Sequence, residues 1–184
     1  HLNGGKIIDI TQPGLERIIQ FDIEHLDELG DLCKKRLIVE LMGKHSNIIF
    51  CDENNRIIDA IKHIPASVSS VREVLPGRDY FIPNTMEKCD PLSASEQTVL
   101  FDACNKPLSI AKALYMTYTG ISPAVANEVG YRAGIDADAP MESLSDDARL
   151  HLAHEFLWLM EDVKEGKFVP CIIKKGDEPI EFSA

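Results

Sequence analysis

The hydrophobic period of this sequence changes at Ser93 and again at Lys167, and those two changes constrain the fold more tightly than any single motif. Before Ser93 the apolar residues fall in short β-branched runs: Lys6 to Ile10, Ile18 to Ile23, Lys35 to Leu41, Asn47 to Cys51 and Ile57 to Ile61. Gly4-Gly5, Pro13-Gly14, Gly30-Asp31, Gly43 and Asp52-Glu53-Asn54-Asn55 separate them, and these are the residue types that end strands and make turns. An antiparallel meander is the economical arrangement. Asn54-Asn55 suits a two-residue hairpin turn because asparagine tolerates positive φ. Pro76-Gly77 and Pro83 end the segment, and Asn84 to Pro91 reads as a linker.

From Ser93 the pattern is helical. Ser93 with Glu96 three residues on has the form of a capping box, which predicts a helix to about Cys104. Pro107 opens a second helix over Leu108 to Tyr118, closed by Gly120. Ser122-Pro123 starts a third that Gly134 stops, and Ser145 caps a fourth. In the fourth, Leu150, Ala153, Phe156, Leu157, Met160 and Val163 form an apolar stripe read as core packing, and Gly166 ends it. Phe168 to Lys174 and Glu178 to Phe182 then flank Gly176-Asp177 as a hairpin whose alternation lets it add to the earlier sheet. The expected fold is therefore α+β: a β-rich part over 1–92, a helical part over 93–166, and a hairpin over 167–184 returning to the first sheet.

The chain has 184 residues, 45% hydrophobic and 27% charged, enough for one large or two small globular domains. Disorder, collagen and a coiled-coil rod are excluded. The longest purely apolar stretch runs from Phe156 to Met160, far short of the roughly 18 residues of a membrane span, so no membrane partner is expected. The sequence opens on His1 without a targeting signal, and its natural N-terminus is expected further upstream. Five scattered cysteines without a C-x-x-C pair fit a reducing compartment, with Cys51 and Cys171 expected as buried, inert thiols.

The formal net charge is −11, with −4 over residues 1–92 and −7 over 93–166. Coating nucleic acid through bulk electrostatics requires the opposite sign, so a phosphate site would have to be local. Four features qualify. Gly120-Ile121-Ser122-Pro123 resembles a helix-hairpin-helix turn that aims backbone N–H groups at a phosphate, with Gly120 and Ser122 as its candidate residues; packing is the other use of such a turn. Lys44, His45, Ser46 and Asn47 form a donor-dense turn, either a binding loop or a hydrated surface turn. Glu16-Arg17 precedes an apolar strand, so strand geometry would send one side chain inward, as an ion-pair anchor or a recognition element. Arg72 and Arg78 bracket Leu75-Pro76-Gly77 and offer two guanidinium groups, for phosphate, for carboxylate or for solubility. No Gly-rich phosphate loop, nucleophile elbow or zinc spacing is present, so neither catalysis nor a metal or other cofactor is expected.

The strings GGKIIDITQPGLERIIQF, RLIVELMGKHSNIIFCD, IIDAIKHI, VREVLPGRDY, GISPAVANEVGYRAGI and VPCIIKKGDEPIEFSA occur in that order. Together they resemble the NFACT family, the RqcH-like and fibronectin-binding protein A-like proteins of bacteria. The resemblance implies the later part of an NFACT-N domain over 1–92, built like the N-terminal domain of formamidopyrimidine-DNA glycosylase. It also implies a helix-hairpin-helix domain over 93–166 and the returning hairpin.

The function implied is non-enzymatic: cytoplasmic, ribosome-associated quality control, binding the 50S subunit with a stalled nascent chain. Charged tRNA, alanyl-tRNA in bacteria, is recruited so that a tail is added to that chain without a template. The family's Asp-Arg pair falls on Glu16-Arg17, where Arg17 matches and Glu16 is longer by one methylene. Lys44, His45, Ser46, Asn47, Arg72 and Arg78 are implied as RNA-facing residues or scaffolding for that surface. Two other readings stay open, a surface adhesin for fibronectin or fibrinogen and a glycosylase-like nucleic-acid enzyme.

Overall fold

The computed structural model of the chain describes residues 2–83 and 88–183. Two compact units divide it, His1–Glu87 and Lys88–Ala184.

The first unit is built on a five-stranded antiparallel sheet in sequence order, β1 (Lys6–Thr11), β2 (Ile18–Leu26), β3 (Leu32–Glu40), β4 (Asn47–Asp52) and β5 (Ile57–Ala60). The meander read from the spacing of turn residues is thus observed. Ile18, Ile38, Ile49, Cys51 and Ile57 point to one face and meet Val74 and Tyr80 from the following segment to form the core. Burial pushes the Cys51 thiol up to about 11, which keeps it protonated and inert. Isolated bridges hold the segment that closes this face, Ile64 pairing with Val74 and Arg56 with Asp79. The opposite face carries Ile7, Phe21, Leu37, Ile48 and Phe50 and stays partly open.

The β4–β5 turn is longer than the two residues expected. The Asp52 N–H bonds the Arg56 carbonyl at 2.9 Å, and the Asp52 carboxylate accepts from the Asn54 and Arg56 N–H groups. Asn55 takes φ +62°, the only non-glycine at positive φ among the described residues, so its tolerance of the left-handed region was the right signal.

The second unit holds α1 (Glu96–Asp102), α2 (Ile110–Thr117), α3 (Pro123–Arg132) and α4 (Asp146–Lys164). The first cap sits two residues later than expected. Ser95 Oγ accepts from Thr98 N–H and Thr98 Oγ1 accepts from Ser95 N–H, so threonine does the reciprocal work assigned to Glu96. Pro91–Ser93 is instead a 3-10 turn capped by Asp90, with Pro91 buried, so the expected linker already contributes to the helical unit. Residues 84–87 of that linker lie outside the described residues. Helix α2 starts after Leu108 because the N–H groups of Ile110 and Ala111 bond the carbonyls of Ala139 and Ala137. Ser122 and Ser145 cap α3 and α4 as expected. The helical core gathers Val99, Leu114, Tyr118, Phe156 and Met160, with Tyr118 and Phe156 stacked at 4.7 Å between ring centroids. On α4 the buried stripe includes Leu152 in place of the expected Leu150, a shift of the apolar face around the helix.

Gly130 sits where α3 meets the chain returning at Ala137, and a Cβ there would lie 2.8 Å from Ala137 Cβ. Glycine to alanine inside a helix ordinarily gains about 1 kcal/mol. Here the clash is against backbone-borne atoms, so Gly130→Ala is expected to lose about 1–2 kcal/mol, read as a lower urea midpoint. A raised midpoint would show that the Ala137 segment yields freely.

The C-terminal hairpin forms, β6 (Cys171–Lys175) against β7 (Glu178–Ser183), with Gly176 at φ +67° in the turn. Its two strands pair with each other as a two-stranded sheet within the second unit. Cys171 is exposed, not buried as expected.

Candidate nucleic-acid interface

Three neighbouring strands turn at one end of the sheet. Ile18 opens β2, Glu40 closes β3 and Asn47 opens β4, and the three are directly paired, Ile18 with Glu40 and Glu40 with Asn47. The pairing extends one residue outward, where the Leu41 N–H donates to the Arg17 carbonyl at 2.8 Å. Topology therefore brings Glu16-Arg17 and the 41–47 turn to the same edge, although residues 18–40 lie between them in the chain.

Glu16 and Arg17 lie in the turn before β2, and neither is buried. Gly14 at φ +53° and the Glu16 N–H on the Pro13 carbonyl set that turn, and Arg17 projects into solvent while Glu16 is half-buried. The inward-pointing charge expected from strand geometry is absent because the strand starts one residue later, at Ile18.

The 43–47 motif divides into two functions. Gly43 at φ +57° allows a single 3-10 turn over Gly43–His45. Ser46 Oγ accepts from the Met42 N–H at 2.9 Å, which closes the turn on itself. Asn47, 4% exposed, acts as an extra peptide unit: its Oδ1 accepts from the Lys62 N–H and its Nδ2 donates to the Lys62 carbonyl, both at 2.9 Å. Those two polar side chains are occupied with structure. Lys44 and His45 are exposed, and among the described residues the side chains of Arg17, Lys44 and His45 make no hydrogen bond or ion pair.

Arg72 is not on this surface. Its Nη2 contacts both carboxylate oxygens of Glu40 at 2.5 Å and its Nη1 donates to the Phe81 carbonyl at 2.7 Å. Arg78 lies at the opposite end of the sheet, where its carbonyl accepts from the Ile57 N–H and its side chain pairs with Glu73 at 2.8 Å. The structure thus brings Glu16, Arg17 and Lys44 to Asn47 together, places Arg72 beneath them and separates Arg78 from them.

Two residues of the IIDAIKHI string join the same edge without having been singled out. Lys62 is exposed and its Nζ reaches the Lys44 carbonyl at 3.2 Å; His63 bonds Asp59 at 2.8 Å, and that bond first of all lowers the Asp59 carboxyl. Their signal was position: they follow β5 directly, at the end where β4 begins.

In the helical unit, Gly120 adopts φ +76°, Ser122 Oγ accepts from the Val125 N–H at 3.2 Å, and Ile121 between them is buried in the core. Among the described residues no cluster of three or more His, Cys, Asp or Glu could hold a metal, and no helix is long and apolar enough to cross a membrane.

The family model for NFACT N-terminal and middle domains matches residues 1–184. The chain belongs to the NFACT family. Among NFACT relatives it is 39% identical over 173 residues to the Rqc2 homolog RqcH of Bacillus subtilis, covering 94% of this chain and 28% of that protein. The RqcH of Streptococcus suis is 35% identical over 149 residues, 80% of this chain and 27% of that one. The chain thus spans little more than a quarter of the length of these relatives. Of solved structures, the N-terminal part of the fibronectin/fibrinogen-binding protein from Streptococcus suis superposes with TM-score 0.66 at 31% identity, over 86% of this chain and 54% of that one. The fibrinogen-binding protein from Staphylococcus aureus gives TM-score 0.68 at 33% identity, over 87% and 54%. The α+β arrangement of this NFACT chain is therefore shared with experimentally determined relatives.

Proposed function

We propose that this chain is the tRNA-reading part of a cytoplasmic, ribosome-associated quality-control factor that binds the large subunit carrying a stalled peptidyl-tRNA and recruits charged tRNA for template-free tailing. One observation carries the reading: Arg17, Lys44 and His45 hold unspent donors at a single sheet edge of a chain whose net charge is −11. Such a patch recognises an RNA by a few placed contacts, because bulk attraction is missing. Peptide-bond chemistry belongs to the ribosome in this scheme, and the protein contributes selection and placement. The Gly120–Ser122 turn is a second, weaker anion contact within the same proposal. There Ser122 Oγ accepts from the helix cap, so its hydroxyl proton and the backbone N–H groups are the donors that could meet phosphate.

The RqcH relatives support this reading. Filter binding of tRNA to the full-length protein and to Arg17→Ala tests it. The variant is expected to bind about tenfold more weakly, as the loss of one charged, hydrogen-bonded contact implies. Equal affinity would remove Arg17 from the site.

The fibronectin- and fibrinogen-binding names of the structural relatives favour a second reading, a surface adhesin. Cell fractionation separates the two, since sedimentation with ribosomes supports the first and association with the wall the second.

A further inference from the structure

The sheet edge that carries Arg17, Lys44 and His45 is braced from below by a buried polar group of three residues. Glu40 is 2% exposed, ends β3 and pairs with the first residues of both β2 and β4. Its carboxylate would be costly at that depth without partners. It receives Arg72 Nη2 on both oxygens at 2.5 Å and the Tyr80 hydroxyl on Oε1 at 2.9 Å. Arg72 in turn lies over the Tyr80 ring, 5.2 Å from its centroid, and donates to the Phe81 carbonyl. Burial alone would pull the guanidinium down, but the Glu40 hydrogen bonds and charge more than offset it, so Arg72 stays charged. Burial first, and then the charge of Glu40, push the Tyr80 hydroxyl well above its ordinary range, so it remains a donor.

The connection to the surface is short. Leu41, the next residue after Glu40, holds the Arg17 carbonyl, and the Gly43–His45 turn that presents Lys44 follows two residues later. A shift of the Glu40 side chain therefore moves both recognition segments at once. The other polar pins of the turn tie it elsewhere, Ser46 to Met42, Asn47 to Lys62, and the Lys62 ammonium to the Lys44 carbonyl. Beside the backbone pairing of β2 with β3, the brace is the side-chain group that reaches the place where the two segments join.

We propose that Glu40, Arg72 and Tyr80 are positioning residues that set the spacing between Arg17 and Lys44 for RNA, and that none of the three touches the RNA. This rests on the tRNA-reading function proposed above. The alternative for Arg72 is direct contact with a phosphate, and the two differ in what a lysine can replace. A lysine keeps the charge, so a phosphate contact and its salt dependence would survive Arg72→Lys. It has no fork to span Glu40 and Phe81 together, so a positioning role would not survive.

The test is tRNA binding by the full-length protein for wild type, Arg72→Lys, Tyr80→Phe, Arg17→Ala and each brace variant combined with Arg17→Ala. The active fraction is fixed by stoichiometric titration, so partial unfolding cannot pass for weaker affinity. Arg72→Lys is expected to weaken binding about tenfold, with Tyr80→Phe weaker in the same direction. In the Arg17→Ala background either substitution should add little, because what it displaces is already gone. A wild type that binds, together with an Arg72→Lys that binds equally well or whose loss adds in full to that of Arg17→Ala, overturns the positioning role and leaves the function standing. A wild type that binds no tRNA overturns both.

Discussion

Glu40→Ala is expected to destabilise the β unit by about 3–5 kcal/mol, the range for removing one partner of a buried ion pair. The Arg72 side chain is 11% exposed and that of Glu40 1%, so the pair is largely withdrawn from solvent. Two donors lose their acceptor at once, the Arg72 guanidinium and the Tyr80 hydroxyl. The Lys34–Glu24 pair on the same sheet is the control. It spans 3.8 Å with side chains 59% and 29% exposed, and Glu24→Ala should change stability by no more than about 0.5 kcal/mol. Hydrogen exchange at the Ile38 and Ile49 amides, which lie in the core strands, reads both variants. Similar protection in the two would mean that water already reaches Glu40.

In the helical unit the largest effect belongs to Phe156→Ala. Phe156 is fully buried on α4, stacks on Tyr118, and sits between Ala153 and Met160 on the buried face of the helix. Truncation removes a ring that nothing nearby can replace, and the expected loss is about 3–5 kcal/mol. Trp158, the chain's one tryptophan, is two residues further along the same helix and largely exposed, so its fluorescence in a urea titration reports this unit. A midpoint unchanged from wild type would mean that the helices repack around the cavity.

The strands were legible because each is short, β-branched and bounded by glycine, proline or asparagine, and the helix starts at Ser122-Pro123 and Ser145 because a cap leaves a local signature. Two kinds of feature were not. One is competition among equivalent local signals: Ser93 and Ser95 both stand ahead of the first helix, and only the packing of Pro91 and Leu92 against the helical core selects Ser95. The other is pairing at long range. Glu40 and Arg72 are 32 residues apart, and nothing in either neighbourhood names the other. A partial signal existed, since Glu40 follows Ile38 on the same face of an apolar strand, which places a carboxylate in line with core residues and demands a partner. The candidate site was half visible for the same reason. Residue types marked Arg17 and the 44–47 turn, but only the register of β2, β3 and β4 brings them together and sends Arg78 to the other end.

That remote end gives the experimenter a handle. Glu53 and Asn54 are exposed at the tip of the β4–β5 turn, a full strand's length from the edge bearing Arg17. A fluorophore attached at either tip residue can report on complex formation without standing in the way of the ligand, so long as Asn55 keeps its left-handed backbone and the turn beneath the dye stays closed.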